Sequence, residues 1–290
     1  MDQQPTTARL LDGKACAAQI QHEIQQQVEA LAARGRVLPH LAVLRVGEDP
    51  ASESYVRGKR RAAERVGITS RELTFAADVS QAALGDAIDA LNADPLVHGI
   101  LLQLPLPEHL DTIAMLERID PRKDVDGTHP LSLGRMLAGH RGGFLPCTPR
   151  GIMALLERNQ VSVAGRNAVV VGRSNIVGKP MAVLLTQAHC TVTLCHTRTA
   201  DLAAAVRGAE LLIVAAGRAA LVPGTWIQKG AVVVDAGINR DAQGKLVGDV
   251  AFVEAAQRAA AITPVPGGVG PMTVTMLLQQ TLEAARAAQP

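Results

Sequence analysis

Two spacings of apolar residues alternate along the chain, and each predicts a different kind of secondary structure. Residues 15–35 carry apolar side chains every three or four positions, which is the period of one helix face, and the segment ends at a glycine. Short apolar runs between such segments predict strands at LAVLRVG (41–47), VHGILLQLPLP (97–107), AELLIVAAG (209–217) and GAVVVDAG (230–237). Because helices and strands alternate almost from end to end, we predict an α/β fold with parallel sheets.

Two segments rich in glycine and proline interrupt this alternation, and a chain of 290 residues is long enough for two domains. They are HRGGFLPCTPRG (140–151) and TPVPGGVGPMT (263–273). We predict an α/β domain over residues 1–145 and a Rossmann-like domain over residues 146–271. We expect the chain to pass from one domain to the other at each of these two segments. The C-terminal helix over residues 272–290 should therefore pack back on the first domain and leave a cleft between the two domains.

Composition excludes several classes of function. The net charge is only +2, and three Phe, one Trp and one Tyr do not provide a platform on which nucleic-acid bases stack. The N-terminal segment lacks a secretory signal, and no apolar run reaches the ~18 residues of a membrane-spanning helix. The four cysteines are scattered, which predicts free thiols and no metal site. We therefore expect a cytoplasmic protein with neither a nucleic-acid nor a membrane partner.

A strand-to-helix turn in the second domain has features of a phosphate-binding loop. The segment AVVVGRSNIVGKP (168–180) places Gly172, Ser174 and Gly178 between an apolar strand and a helix. Glycines in such a turn let backbone amides approach a pyrophosphate, and the helix N-terminus adds partial positive charge. Ser174 stands where a second glycine is usual, so an ordinary βα turn is the alternative. The position of the turn favours a dinucleotide.

The residues after the next strand favour NADP over NAD. A fold that selects NAD places an acid ~20 residues beyond the turn, where it binds the ribose 2′-hydroxyl. Here His196, Thr197 and Arg198 occupy that point, and the first acid is Asp201. Together with Arg173 in the turn, they suit a 2′-phosphate, which arginine binds through paired hydrogen bonds. A solvated surface role is the alternative for Arg198.

The only tyrosine of the chain lies four residues before a lysine, in SYVRGK (54–59). In a helix Tyr55 and Lys59 share one face, and a lysine shielded from water exchanges its proton more easily. A half-buried helix with Lys59 in solvent is the alternative. Gln103 is a further candidate because it interrupts an apolar run at the end of a predicted parallel strand, and a buried amide needs a partner or a ligand.

Two acids in KDVDG (123–127) are the remaining candidates. Asp126 is suited to accept hydrogen bonds from an amidine-like edge of a substrate. The alternative is that Asp124 and Asp126 cap the following turn or helix.

Eight segments, in order, resemble one enzyme family, the bifunctional methylenetetrahydrofolate dehydrogenase/methenyltetrahydrofolate cyclohydrolases. These segments are SYVRGK, QLPLP, KDVDG, PCTPRG, GRSNIVGKP, DAGINR, GKLVGDV and TPVPGGVGPMT. The resemblance runs over nearly the whole chain. It implies that a folate binds in the cleft and that NADP is the cofactor.

The resemblance also implies roles for single residues. Lys59 would be the catalytic base and acid, Gln103 would hydrogen-bond it, Tyr55 would stack on the folate and Asp126 would anchor the pterin ring. The implied substrate-binding residues are Tyr55, Gln103, Leu104, Asp126, Pro266 and Gly267. The implied NADP-binding residues are Gly172, Arg173, Ser174, Thr197 and Ile238.

The chemistry implied by the resemblance has two steps. An NADP-dependent oxidation converts 5,10-methylenetetrahydrofolate to 5,10-methenyltetrahydrofolate, and hydrolysis then gives 10-formyltetrahydrofolate. The family also implies a homodimer formed through the nucleotide domains. Three alternatives stay open: a dehydrogenase without cyclohydrolase activity, a dehydrogenase of the shikimate or amino-acid type, and a folate- or nucleotide-binding protein without activity.

Three positions depart from the family pattern. Ser132 replaces a usual asparagine, Thr128 replaces a common aromatic residue, and Thr197 replaces a serine near the 2′-phosphate. None of them removes a group to which we assign catalysis.

Overall fold

The structure of the protein, a computed structural model, describes residues 8–48, 50–140 and 142–288, without the side chains of residues 50–52, 54 and 55. The chain divides into two compact units. One contains Thr148–Thr273 and the described residues up to Ala17, and the other contains Ala18–Cys147 and the described residues from Val274 onward. We call them the six-stranded unit and the three-stranded unit, after their main sheets.

Strands and helices alternate in both units. The strands are β1 (Arg9–Leu10), β2 (His40–Val46), β3 (Thr69–Phe75), β4 (Gly99–Leu102), β5 (Asn167–Val171), β6 (Thr191–Cys195), β7 (Leu211–Val214), β8 (Val232–Asp235), β9 (Asn239–Arg240), β10 (Leu246–Val247) and β11 (Ala261–Ile262). The helices are α1 (Gly13–Ala33), α2 (Pro50–Arg65), α3 (Gln81–Ala93), α4 (Thr112–Arg118), α5 (Pro130–Leu137), α6 (Cys147–Arg158), α7 (Gly178–Gln187), α8 (Leu202–Arg207), α9 (Phe252–Ala255) and α10 (Val269–Ala287). None of the helices in the described ranges is long and apolar enough to cross a lipid bilayer.

The six-stranded sheet is parallel throughout and has the order β1-β11-β8-β7-β5-β6. Its central strands β7 and β8 are buried along their whole length, as expected for a parallel sheet covered on both faces. The next two strands after β5 lie on opposite sides of it. Connections that diverge in this way open a crevice at the carboxyl ends of the strands, where doubly wound sheets bind ligands.

The three-stranded sheet has the order β3-β2-β4 and is also parallel. One face of α3 packs in a common core with this sheet, and Leu84, Ile88, Leu44 and Leu102 are all buried there. Full burial of such a side chain contributes about 1.5–3 kcal/mol to folding. This core fixes the carboxyl end of β4, which is where Gln103 follows.

Residues 8–17 belong to the six-stranded unit, and this corrects the predicted domain of residues 1–145. β1 pairs in parallel with β11, and the Leu11 N–H donates to the Ile262 carbonyl at 2.9 Å. The chain therefore changes unit three times rather than twice. A two-residue strand has no apolar period of its own, so the alternation along the sequence did not reveal it.

The C-terminal part of α10 lies in the three-stranded unit, where Gln280 holds it. The fully buried Gln280 Nε2 donates to the carbonyls of Val125 (2.7 Å) and Leu145 (3.0 Å), and Oε1 accepts from the Leu145 N–H at 2.9 Å. Because both the nitrogen and the oxygen of this buried amide have hydrogen-bond partners, Gln280 connects α10 to the loop at Val125 and to the loop at Leu145. One of these loops contains Asp126.

Candidate active site

Lys59 and Gln103 form the central contact of a polar site in the three-stranded unit. Lys59 lies on α2 and is only 7% exposed, and its Nζ donates to Gln103 Oε1 at 2.9 Å. Gln103 directly follows β4, at the carboxyl end of a parallel strand. The alternative in which Lys59 is solvated is therefore wrong. The structure brings together two residues that are 44 positions apart in sequence.

Burial lowers the pKa of Lys59 because the charged ammonium loses its hydration. Electrostatic interactions with Asp126 and Cys147 oppose this effect in part. Gln103, the hydrogen-bond partner, is a neutral amide and adds no charge. A lysine with a lowered pKa gives up its proton more easily than one in water, which suits it to general acid–base catalysis.

Gln103 is held so that its oxygen faces the lysine. Its backbone N–H donates to the Leu44 carbonyl at 2.9 Å, which continues the pairing of β4 with β2. Its side-chain Nε2 donates to the Leu104 carbonyl at 2.7 Å. This hydrogen bond orients the amide with its nitrogen toward the Leu104 carbonyl and its oxygen toward Lys59.

The two acids of KDVDG have different environments. Asp124 is 1% exposed and accepts from the backbone N–H groups of Thr128 (3.1 Å) and His129 (3.0 Å), just before α5. Asp126 is half-buried, and no described residue donates a hydrogen bond to its carboxylate; its carbonyl accepts from the Cys147 N–H at 3.2 Å. The capping alternative therefore holds for Asp124 alone.

Two of the departures from the family pattern contact this buried acid. Ser132 Oγ donates to Asp124 Oδ2 at 2.8 Å, and the Thr128 hydroxyl lies 3.5 Å from Oδ1. Burial raises the pKa of Asp124 to about 6, and the hydrogen bonds from His129, Ser132 and Thr128 act in the opposite direction. The hydroxyl groups of Thr128 and Ser132 therefore help to hold Asp124 at the start of α5.

The turn after β5 requires its glycines. Gly172 has φ +126°, and a Cβ there would overlap the carbonyl oxygen of Ala215, the residue after β7. A Cβ at Gly178, the first residue of α7, would overlap the Gly172 carbonyl. Both glycines therefore allow strand, turn and helix to approach closely at the crevice where the connections diverge.

Ser174 takes part in the start of α7. Its exposed Oγ accepts from the N–H groups of Val177 at 3.1 Å and, more weakly, Gly178 at 3.4 Å. These contacts do not use the hydroxyl hydrogen, so Ser174 still has a donor for an anion. Ser174, which stands where a second glycine is usual, therefore orders the turn through its side chain.

The residues after β6 fit a 2′-phosphate better than a ribose hydroxyl. Thr197 and Arg198 are exposed, as is Arg173 in the turn after β5. The first acid, Asp201, is occupied because its Oδ1 accepts from the Ala204 N–H at 2.8 Å and caps α8. Among the residues described, neither guanidinium pairs with a carboxylate. This set of exposed cations and a hydroxyl suits the extra phosphate of NADP.

A buried acid that the sequence analysis did not single out organises the loop after β7. Asp249 is fully buried and accepts from the N–H groups of Ala216 (2.6 Å), Gly217 (2.9 Å) and Arg218 (2.8 Å). Asn239 Nδ2 donates to the same carboxylate at 2.8 Å. Hydrogen bonds to a carboxylate are stronger than neutral ones, so this group fixes the loop firmly.

Asp235, the last residue of β8, holds the backbone of the loop after β8 in the same way, through hydrogen bonds to its carboxylate. It accepts from the N–H groups of Gly237 (2.8 Å), Asp249 (3.0 Å) and Val250 (2.8 Å). Burial raises the pKa of Asp235 to about 6, against the effect of these hydrogen bonds. The signal in the sequence was an acid directly after the apolar run VVV, in the segment DAGINR.

The remaining sequence candidates have less defined surroundings. Ile238 is 52% exposed in the loop after β8. Pro266 is exposed, and the Gly267 carbonyl accepts from the Lys14 N–H at 2.9 Å; both lie in the six-stranded unit, unlike Lys59 and Gln103. Tyr55 lies within α2, and its side chain is outside the described part of the structure.

Two domain families match the two parts of the chain. The family described as tetrahydrofolate dehydrogenase/cyclohydrolase, catalytic domain, matches residues 11–126. The one described as tetrahydrofolate dehydrogenase/cyclohydrolase, NAD(P)-binding domain, matches residues 146–289. The chain belongs to the tetrahydrofolate dehydrogenase/cyclohydrolase family.

Individual members of this family are similar over nearly the whole chain. The Bifunctional protein FolD 2 of Myxococcus xanthus is 56% identical over 278 residues, which is 96% of either chain. The crystal structure of the bifunctional enzyme FolD from Campylobacter jejuni superposes with a TM-score of 0.95 at 46% identity, covering 97% of this chain and 100% of that one.

A third member was solved with a cofactor. The Trypanosoma brucei methylenetetrahydrofolate dehydrogenase-cyclohydrolase, complexed with NADP and an inhibitor, gives a TM-score of 0.93 at 41% identity and covers 97% of this chain and 98% of that one. The predicted family and the predicted α/β fold with parallel sheets and a Rossmann-like second domain are confirmed.

Proposed function

We propose that this protein catalyses two successive reactions of one-carbon folate metabolism. It oxidises 5,10-methylenetetrahydrofolate to 5,10-methenyltetrahydrofolate with NADP, and it then hydrolyses the product to 10-formyltetrahydrofolate. The observation that carries the proposal is the buried contact between Lys59 Nζ and Gln103 Oε1, at 2.9 Å, in a member of a family named for both activities.

Lys59 serves the hydrolytic step as a proton carrier. Water adds to the methenyl carbon and passes one proton to the neutral Nζ of Lys59. As the bond between that carbon and N5 breaks, the new hydroxyl group loses its proton and becomes the formyl oxygen, and N5 takes the proton held by Lys59. One proton is released overall. Gln103 keeps Nζ in place throughout, because its own amide is fixed by Leu104.

Residues of the six-stranded unit bind the cofactor, which accepts a hydride from the methylene carbon when bound. Gly172 lets the backbone approach the pyrophosphate, and the start of α7 favours negative charge there. Arg173 and Thr197 bind the 2′-phosphate. Ser174 and Ile238 complete the proposed cofactor-binding set.

The folate is recognised by groups that the structure leaves available. The Asp126 carboxylate receives no hydrogen bond from the described residues, so it is able to accept the amino edge of the pterin ring. Tyr55, Leu104, Pro266 and Gly267 complete the proposed substrate-binding set.

We also propose that the enzyme is a cytoplasmic homodimer formed through its nucleotide-binding domains. β6 is an edge strand of the six-stranded sheet, and its Leu194 is 37% exposed. Sedimentation of the purified protein should give about twice the 30.4 kDa mass of one chain. A monomer at all concentrations would contradict this assignment.

The function is tested by following NADPH and the methenyl compound separately after NADP and 5,10-methylenetetrahydrofolate are added. NADPH should rise while the methenyl signal stays low, because hydrolysis removes it. A parallel rise of both signals would leave a dehydrogenase alone. NADPH formed only with a hydroxy acid such as shikimate would favour the rival class of dehydrogenase, and no turnover would favour a binding protein.

A further inference from the structure

The turn after β6 is closed by a histidine side chain. The Arg198 N–H donates to His196 Nδ1 at 3.1 Å. The His196 N–H donates to Thr199 Oγ1 at 2.8 Å, and the Thr199 N–H donates to the His196 carbonyl at 2.9 Å. These three hydrogen bonds fix the backbone on both sides of Thr197 and Arg198, whose side chains are exposed.

We propose that His196 is a positioning residue that sets the preference for NADP by holding this turn. In this hydrogen bond Nδ1 of His196 is the acceptor, so the contact requires an imidazole that carries no hydrogen on Nδ1. The contact has the geometry of an Asx turn, in which a side chain accepts from the N–H two residues further on. His196 thus accepts the hydrogen bond that the side-chain oxygen of an asparagine commonly accepts in such a turn.

The position of this turn connects it with cofactor choice, and the inference rests on the proposed use of NADP. Doubly wound folds recognise the ribose of a dinucleotide at the end of the strand that follows the glycine turn, which is β6 here. Because Asp201 is used to cap α8, Thr197 and Arg198 are the polar side chains that this turn can offer to a 2′-phosphate, in addition to Arg173 in the turn after β5. Without these hydrogen bonds the turn would have to become ordered when NADP binds, and the entropy lost in this ordering would weaken the affinity for NADP.

The test compares the variants His196→Leu and His196→Asn by titrating each with NADP and with NAD in the absence of folate. His196→Leu should bind NADP roughly five- to tenfold more weakly, as expected for the loss of one hydrogen bond, with a change of less than about twofold for NAD. His196→Asn should retain most of the affinity for NADP, since its Oδ1 accepts from the same N–H.

A second histidine provides a matched control. His129 Nδ1 accepts from the Leu131 N–H at 3.0 Å in the three-stranded unit, so His129→Leu removes the same kind of bond away from this turn. It should leave the ratio of NADP to NAD affinity unchanged. A far-ultraviolet circular dichroism spectrum and a thermal unfolding midpoint close to those of the wild type will show that His196→Leu is folded.

Two results would overturn the inference. One is an unchanged NADP to NAD ratio in the folded His196→Leu variant. The other is an equal loss of NADP binding in the Leu and Asn variants, which would mean that the imidazole itself contacts the phosphate. Wild-type protein that binds neither dinucleotide would instead contradict the proposed function, on which the inference rests.

Discussion

The two parts of the proposed active site are organised in opposite ways. In the three-stranded unit the proposed proton carrier itself is buried, since Lys59 is 7% exposed and held by Gln103. In the six-stranded unit the proposed cofactor-binding side chains are exposed, and the buried groups are Asp235 and Asp249, which hold the loops. A proton carrier needs burial to lower its pKa, whereas a phosphate is bound by backbone and guanidinium groups on a fixed frame.

This difference predicts different consequences of mutation. In the three-stranded unit a substitution of Lys59 should slow hydrolysis without unfolding the protein. In the six-stranded unit, changes to the frame should cost stability, and changes to the exposed side chains should affect only affinity and cofactor choice.

The largest expected effect is that of Lys59→Met. Loss of the proton carrier should slow hydrolysis of methenyltetrahydrofolate by about 10²- to 10⁴-fold. Thermal unfolding should be nearly unchanged, because an apolar side chain of similar length replaces a buried charge. The exposed Lys229→Met variant is the control and should keep full activity. Normal formation of 10-formyltetrahydrofolate by Lys59→Met would rule out the assigned role.

Gly172→Ala tests the frame of the six-stranded unit. Its φ of +126° and the overlap with the Ala215 carbonyl should together lower the free energy of unfolding by about 3 kcal/mol. Gly244→Ala is the matched control, because Gly244 has φ +78° but open space around it. It should cost only about 1–2 kcal/mol. Urea unfolding measures both, and equal losses would show that the close approach at Gly172 is unimportant.

Arg173→Ala tests the exposed side chains of the same region. Loss of a charge-assisted hydrogen bond should weaken NADP binding by about 2 kcal/mol, or roughly 30-fold, and leave NAD binding almost unchanged. Arg207→Ala, at an exposed position at the end of α8, is the control. Titration with both dinucleotides gives the answer, and equal losses for NADP and NAD would refute the 2′-phosphate assignment.

The smallest expected effect is a shift of pH dependence in Gln103→Glu. A carboxylate in place of the neutral amide favours the charged form of Lys59 and so raises its pKa. Since hydrolysis uses the neutral amine, the rising limb of the pH–rate profile should move to higher pH by about one unit. A profile that stays in place would show that Lys59 is not the group that titrates.

The sequence predicted the elements with strong local signals and missed those that depend on distant contacts. The buried strands β7 and β8 were visible as apolar runs. The two-residue β1 was not, because it is held by pairing with β11, about 250 positions away. The same limit applies to Asp249, whose role depends on N–H groups about 30 residues earlier.

The candidate site shows the same division. The spacing of Tyr55 and Lys59 and the interrupted strand at Gln103 made these residues candidates, but only the fold brings Lys59 to Gln103. Asp124 and Asp126 are equivalent as sequence, and only the fold separates buried Asp124, which accepts hydrogen bonds, from half-buried Asp126, whose carboxylate accepts none from the described residues. Local pattern therefore supplied the candidate residues, and tertiary contacts show which of them lie together.

The most direct test of the account is an NMR titration of Lys59 Nζ, with its signal assigned by its absence in Lys59→Met. The account predicts that the pKa of Lys59 lies clearly below the ~10.4 of a lysine in water. It also predicts that Gln103→Glu raises this value. An ordinary pKa for Lys59 in the folded protein would contradict the claim that burial turns this lysine into a proton carrier.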